Sequence, residues 1–254
     1  MNDMEKDVPE LVAPGPADMA PPEYGELAAE PAPPVPSRGE ARRPSLVEIF
    51  TNPRGFFEAL EAQPVSLRMP ALVVLAVGIV AAIAAYQVSS VLMGAIAIPG
   101  AQGLGGVIGI IGAISALVVT MLLWVIYTAV FFVISMAFKG RGDFNRLLSY
   151  VGYGHLPQVI GGVVSLLLTW SYLSALRVPA LTTPQAITAW TLSITKDPTM
   201  RLATVVGLLF LLWSANLWIF GVHNGRKLSL RDAAITVGVP ILLYVLYTVY
   251  TLVV

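Results

Sequence analysis

Residues 69–138 contain no Lys, Arg, Asp or Glu, and the chain beyond them repeats the pattern in shorter uncharged apolar runs. Inserting one ionised side chain at a helix centre in a bilayer costs about 2.5–3.5 kcal/mol, so a chain that avoids it over such lengths is built for lipid. Composition agrees: 12% of residues are charged, against about 25% in an ordinary soluble domain. The expected fold class is all-α, a polytopic membrane bundle of five transmembrane helices with a disordered N-terminal tail.

The zero net charge hides an asymmetry. Residues 1–68 hold 12 acids and 6 bases, whereas residues 69–254 hold 3 acids and 9 bases. No cysteine is present, which rules out a disulfide framework, a thiolate metal site and a catalytic thiol. Ten of the 19 prolines fall in residues 1–44, as in Pro31-Ala32-Pro33-Pro34-Val35-Pro36. Such a segment buries too little apolar surface to offset the entropy of ordering it, so residues 1–44 are expected to be a solvated acidic tail. It has no apolar stretch of signal-peptide type, and insertion is expected to rely on the first span.

Residues 45–254 are expected to form one membrane domain. Ser45-Leu46-Val47-Glu48 reads as a capping box, and Asn52-Pro53 as an N-cap followed by an N1 proline. Phe56, Phe57 and Leu60 then share one helical face, with Arg54, Glu58 and Glu61 elsewhere. This amphipathic segment either lies in the membrane interface or packs on the ends of the bundle.

A hydrocarbon core of about 30 Å needs about 20 helical residues, which gives five spans at 70–92, 116–138, 156–176, 202–222 and 233–253. The uncharged stretch must turn once, and Ile98-Pro99-Gly100 is the expected place. Gly105-x-x-x-Gly109 carries a spacing used in close helix packing. Asp143 suits the N-cap of a short helix that Gly152 and Gly154 end before Pro157. A second short helix is expected after Thr183-Pro184 in the loop between spans three and four.

Lys and Arg in the flanks divide eight to three. Arg54, Arg68, Lys139, Arg141, Arg146, Arg226, Lys227 and Arg231 share one side, whereas Arg177, Lys196 and Arg201 lie on the other. By the positive-inside rule the N-terminus is cytoplasmic and the C-terminus outside. The amphipathic segment and the two loops carrying Lys139, Arg141, Arg146, Arg226, Lys227 and Arg231 are expected to converge as a cytoplasmic basic surface. That surface holds anionic headgroups, attracts the acidic tail, or serves only to fix topology.

Several stretches together resemble the Yip family of five-span membrane proteins. These are Phe50-Thr51-Asn52-Pro53-Arg54-Gly55-Phe56-Phe57, Leu67-Arg68-Met69-Pro70, Phe138-Lys139-Gly140-Arg141-Gly142-Asp143-Phe144 and Gly152-Tyr153-Gly154-His155-Leu156-Pro157. The wording is that of the prokaryotic branch, and the family-motif positions are Asn52, Pro53, Arg54, Phe57, Gly152, Tyr153 and Pro157. The resemblance covers residues 45–254 and implies a membrane-organising or adaptor protein of the prokaryotic cell membrane with no catalytic residues to carry over. Eukaryotic members partner Rab-type GTPases and carry an acidic Asp-Leu-Tyr-Gly-Pro-type segment before span one, which this chain lacks.

His155 and His223 are the only histidines, and neither sits in a metal-binding spacing. No Gly-x-Ser-x-Gly is present, and no carboxylate pair follows Glu61. The polar markers Gln87 and Asn216 are expected to act as interhelical hydrogen-bond glue. The expected function is therefore non-enzymatic, with no cofactor or metal and no nucleic acid. The expected partners are the bilayer and either another protein or a second copy. A transporter or channel subunit for a small neutral or hydrophobic solute is the alternative, with the Gly/Pro-interrupted approach to span three as its binding region.

Overall fold

A computed structural model describes residues 44–97 and 104–253. Residues 1–43 of the expected tail, and the expected turn at Ile98-Pro99-Gly100, lie outside the described residues. The helices are α1 (Glu48–Thr51), α2 (Pro53–Glu61), α3 (Arg68–Ala95), α4 (Leu104–Ala137), α5 (Phe144–Tyr153), α6 (Leu156–Ala175), α7 (Pro184–Thr195), α8 (Pro198–Arg226) and α9 (Leu230–Val253). The described residues contain no strand, only a parallel bridge between Ile96 and Leu181 that ties the end of α3 to the loop after α6.

Five segments are long and apolar enough to cross a membrane: Arg68–Ala95, Gly105–Ala137, Phe144–Ala175, Pro198–Arg226 and Leu230–Val253. They alternate in direction, so α1, α2 and the loops after α4 and α8 gather at one end of the bundle, the charged end. The bridge and α7 lie at the other.

The largest departure from expectation is α4, which starts at Leu104 rather than near residue 116. Glycine disfavours a helix by about 1 kcal/mol per residue, but here it allows close packing. A Cβ added to Gly109 would lie 2.9 Å from the Tyr86 ring, and one added to Gly112 would lie 2.8 Å from Ser89 Oγ. One added to Gly105 would lie 3.4 Å from Met93 Cβ. The Gly105-x-x-x-Gly109 spacing is therefore the seam on which α4 packs against α3.

Helix starts follow local chemistry with two corrections. Asn52 Oδ1 accepts from the Gly55 N–H at 3.0 Å with Pro53 at N1, and Thr183 and Asp197 cap α7 and α8 similarly. The serine half of the expected capping box is replaced: Ser45 Oγ accepts from Val47 N–H at 3.3 Å, and Glu48 N–H donates to the Ser45 carbonyl. Asp143 occupies the N-cap of α5, but its carboxylate makes no capping bond. The amphipathic segment packs on the bundle rather than lying free in the interface. Phe56 and Phe57 are fully buried against Tyr150, Tyr153 and Leu217, which removes the apolar face that lipid would otherwise cover.

A candidate functional site at the charged end of the bundle

An aromatic seam joins α2 to α5. Phe57 meets Tyr150 and Phe56 meets Tyr153, both at 5.3 Å between ring centroids, and the two Phe rings sit edge to face with each other. Pairs of this kind add about 0.5–1.5 kcal/mol beyond area burial. Asn52 and Pro53 start the helix at the register that delivers both Phe rings to the seam. Among the described residues Arg54 pairs with Glu58, in an exposed i,i+4 pair of small energetic weight.

Beneath the seam lies the turn between α5 and α6. Gly152 has no room for a side chain, since a Cβ there would sit 2.6 Å from Pro70 Cβ and 3.1 Å from the Trp124 ring. Gly154 is pressed against Trp218 in the same way. The two indoles cap the end of α5: Trp124 Nε1 donates to the Leu148 carbonyl and Trp218 Nε1 to the Val151 carbonyl, each at 2.9 Å. His155 is buried with its Nδ1 2.8 Å from that same Val151 carbonyl and its ring edge-on to Trp218. Pro157, buried in the first turn of α6, costs no hydrogen bond there. Sequence reasoning missed Trp124 and Trp218, although an indole N–H within a span must find an acceptor.

Arg226 corrects the expected basic surface. It is 3% exposed, and its guanidinium spans the gap between α8 and the end of α4. Nε donates to Ser135 Oγ at 2.8 Å, Nη2 to the Gly140 carbonyl at 2.7 Å and Nη1 to the Gly142 carbonyl, while the plane lies 4.0 Å over Phe132. The Arg226 carbonyl accepts from the Arg141 N–H at 2.8 Å. The loop so held contains Lys139 at φ 58° and Gly142 at φ 120°, left-handed conformations that need tertiary support in a non-glycine residue.

Two other expected surface bases are also partly engaged. Arg146 Nη1 donates to the Glu61 carbonyl at 3.1 Å, and Lys227 pairs with the Glu61 carboxylate. Ser149 Oγ adds a bond to the Ser66 carbonyl at 3.1 Å. The segment leading into α3 is thus fixed to α5 and α8. Lys139, Arg141 and Arg231 remain exposed on the same end. The three expected regions converge, but as a braced platform on which Lys139, Arg141 and Arg231, three of the six bases, make no side-chain bond to a described residue.

The expected polar glue is placed elsewhere. Asn216 is exposed on α8 and makes no side-chain hydrogen bond to a described residue. Gln87 is half-buried, and its Oε1 is enclosed without a partner. Interhelical polar bonds are made instead by Arg226 to Ser135, by Ser165, whose Oγ donates to the Ala203 carbonyl at 3.0 Å, and by the two indoles. No group of three or more His, Cys, Asp or Glu that could hold a metal occurs among the described residues.

Comparison with known proteins gives three results. No solved structure matches the chain. An uncharacterised protein of Methanocaldococcus jannaschii is 36% identical over 122 residues, covering 48% of this chain and 86% of the relative. The Yip1 domain matches residues 47–252, the interval that runs from α1 to the end of α9 and contains both the aromatic seam and the Arg226 brace. The chain is a multi-pass integral membrane protein and belongs to the Yip1 domain family.

Proposed function

We propose that the protein is a non-enzymatic membrane-organising adaptor that works through the charged end of its bundle. The observation that carries this reading is that Lys139, Arg141 and Arg231 stand exposed on an end face braced by Arg226, Arg146 and Lys227. Exposed bases near a membrane attract anionic headgroups at about 1 kcal/mol each, and the same charge suits an acidic protein surface. The eight-to-three distribution of bases supports a cytoplasmic N-terminus and an outward C-terminus. The archaeal relative supports residence in a prokaryotic cell membrane.

The test replaces Lys139, Arg141 and Arg231 by Gln in the full chain, confirms that topology is retained, and measures crosslinked partner recovery in native membranes and preference for anionic vesicles. Both should fall. Unchanged recovery and preference would leave the bases as topology signals alone, and solute flux in proteoliposomes would replace the adaptor reading with the transporter one.

A further inference from the structure

We propose a ligand site within the membrane-spanning part: a cavity of about 370 Å³ among α3, α4, α6, α8 and α9 that binds an uncharged amphiphile by its hydroxyl-bearing head. The inference is independent of the adaptor reading. The volume falls within the range of small-molecule sites. Val77, Leu123, Leu208 and Leu211 give the cavity apolar walls, on which a few polar groups converge.

The hydrogen-bonding inventory of those groups defines the ligand. The hydroxyl protons of Thr120, Thr204 and Thr248 are donated to their own helix backbones, at the carbonyls of Ala116, Met200 and Tyr244. Each threonine therefore offers only lone pairs to the cavity. The His155 Nδ1 faces a carbonyl, which can only accept, so Nδ1 carries the proton and the neutral ring keeps Nε2 as an acceptor. The Tyr127 and Tyr244 hydroxyls and the Gln158 amide make no side-chain hydrogen bond to a described residue. An acceptor-rich lining with three uncommitted donor–acceptor groups suits a ligand that brings its own O–H groups.

Charge selects against ions. No Asp, Glu, Lys or Arg lines the cavity, and an ion taken into a low-dielectric interior without a counter-charge is heavily disfavoured. The shape selects an amphiphile. A second cavity of about 260 Å³ shares Val77, Gln158 and Gly207 with the first and continues past Val80, Leu166 and Phe210, providing an apolar continuation for a chain. Tyr244 is 46% exposed and Leu123 40%, so the polar cavity opens sideways, toward lipid. A neutral glycerol-type head on an acyl chain meets all these conditions, and free glycerol shares the head chemistry.

The experiment uses the full-length protein in phosphatidylcholine nanodiscs with a photoactivatable monooleoylglycerol. Labelling should be saturable, map to α4, α6 and α9, and fall about fivefold in Gln158→Leu and Tyr127→Phe, the factor expected from losing one neutral hydrogen bond. Should either variant lose thermal stability without ligand, Tyr244→Phe decides, because it removes one hydroxyl from a half-exposed side chain. Competition by monooleoylglycerol supports a bilayer source, and competition by glycerol alone supports a free polyol in the same site. Labelling that does not saturate, labelling unchanged in the variants, or equal competition by oleoyl lysophosphatidate overturns the proposal.

Discussion

Arg226 Nη2 donates to the carbonyl of Gly140 at 2.7 Å, and this contact joins the last residue of α8 to the loop that follows α4, 86 residues earlier. The same guanidinium satisfies Ser135 and Gly142, so one side chain closes the charged end of the bundle. Removing it takes the donor from the buried Ser135 hydroxyl and from the carbonyls of half-buried Gly140 and exposed Gly142 at once.

Arg226→Leu should therefore lower stability by on the order of 3 kcal/mol, since each hydrogen bond to a charged group contributes about 1.5–3 kcal/mol and the orphaned carbonyls add to the loss. Arg226→Lys should restore little, because an ammonium lacks the planar fork that reaches three acceptors. Thermal unfolding in detergent measures both. Full stability in Arg226→Lys would show that charge rather than geometry closes the loop.

Two glycine substitutions should separate close packing from mere helix breaking. Gly154→Ala places a methyl against the fully buried, hydrogen-bonded Trp218 and should be strongly destabilising. Gly106→Ala has nothing within 4 Å and should be neutral or raise stability by about 0.4–1 kcal/mol through helix propensity. Melting temperatures that move together in the two variants would contradict the geometry.

Asn216→Leu should leave stability within about 0.5 kcal/mol, as an exposed position without a hydrogen bond predicts. Trp218→Phe should cost about 1–3 kcal/mol, because it strips a buried donor from the Val151 carbonyl while keeping most of the ring. The comparison is read from unfolding midpoints of the two purified variants.

The cysteine-free chain makes a topology measurement direct. Single cysteines at Arg141 and Thr188 occupy exposed positions at opposite ends of the bundle. With a cytoplasmic N-terminus, an impermeant thiol reagent applied to intact cells should label Thr188→Cys and spare Arg141→Cys. The reverse pattern would invert the protein in the membrane.

The spans were legible because avoidance of charge is a one-dimensional property, written directly into residues 69–138. Asn52-Pro53 and Gly105-x-x-x-Gly109 were legible for a similar reason, since a cap and a packing stripe act over a few residues. Arg226 was not, because its acceptors lie 84 to 91 residues away and an arginine at a helix end reads as surface. Asn216 misled in the opposite sense. The one amide of the expected span 202–222 reads as buried, and only the packing of α8 shows which face it occupies. The early start of α4 was hidden because glycine content reads as a helix breaker unless the surface it approaches is known.

The length of α4 has a mechanical consequence. Its exposed apolar side chains run from Val107 to Met136, about 44 Å at 1.5 Å per residue, against a hydrocarbon core of about 30 Å. Such hydrophobic mismatch is relieved by tilting the hairpin or by thickening the surrounding lipid, at a fraction of a kcal/mol per ångström. α3 is bound to α4 along the glycine seam and must lean with it, so local bilayer thickness becomes a force on the hairpin, and the hairpin in turn a wedge on the bilayer.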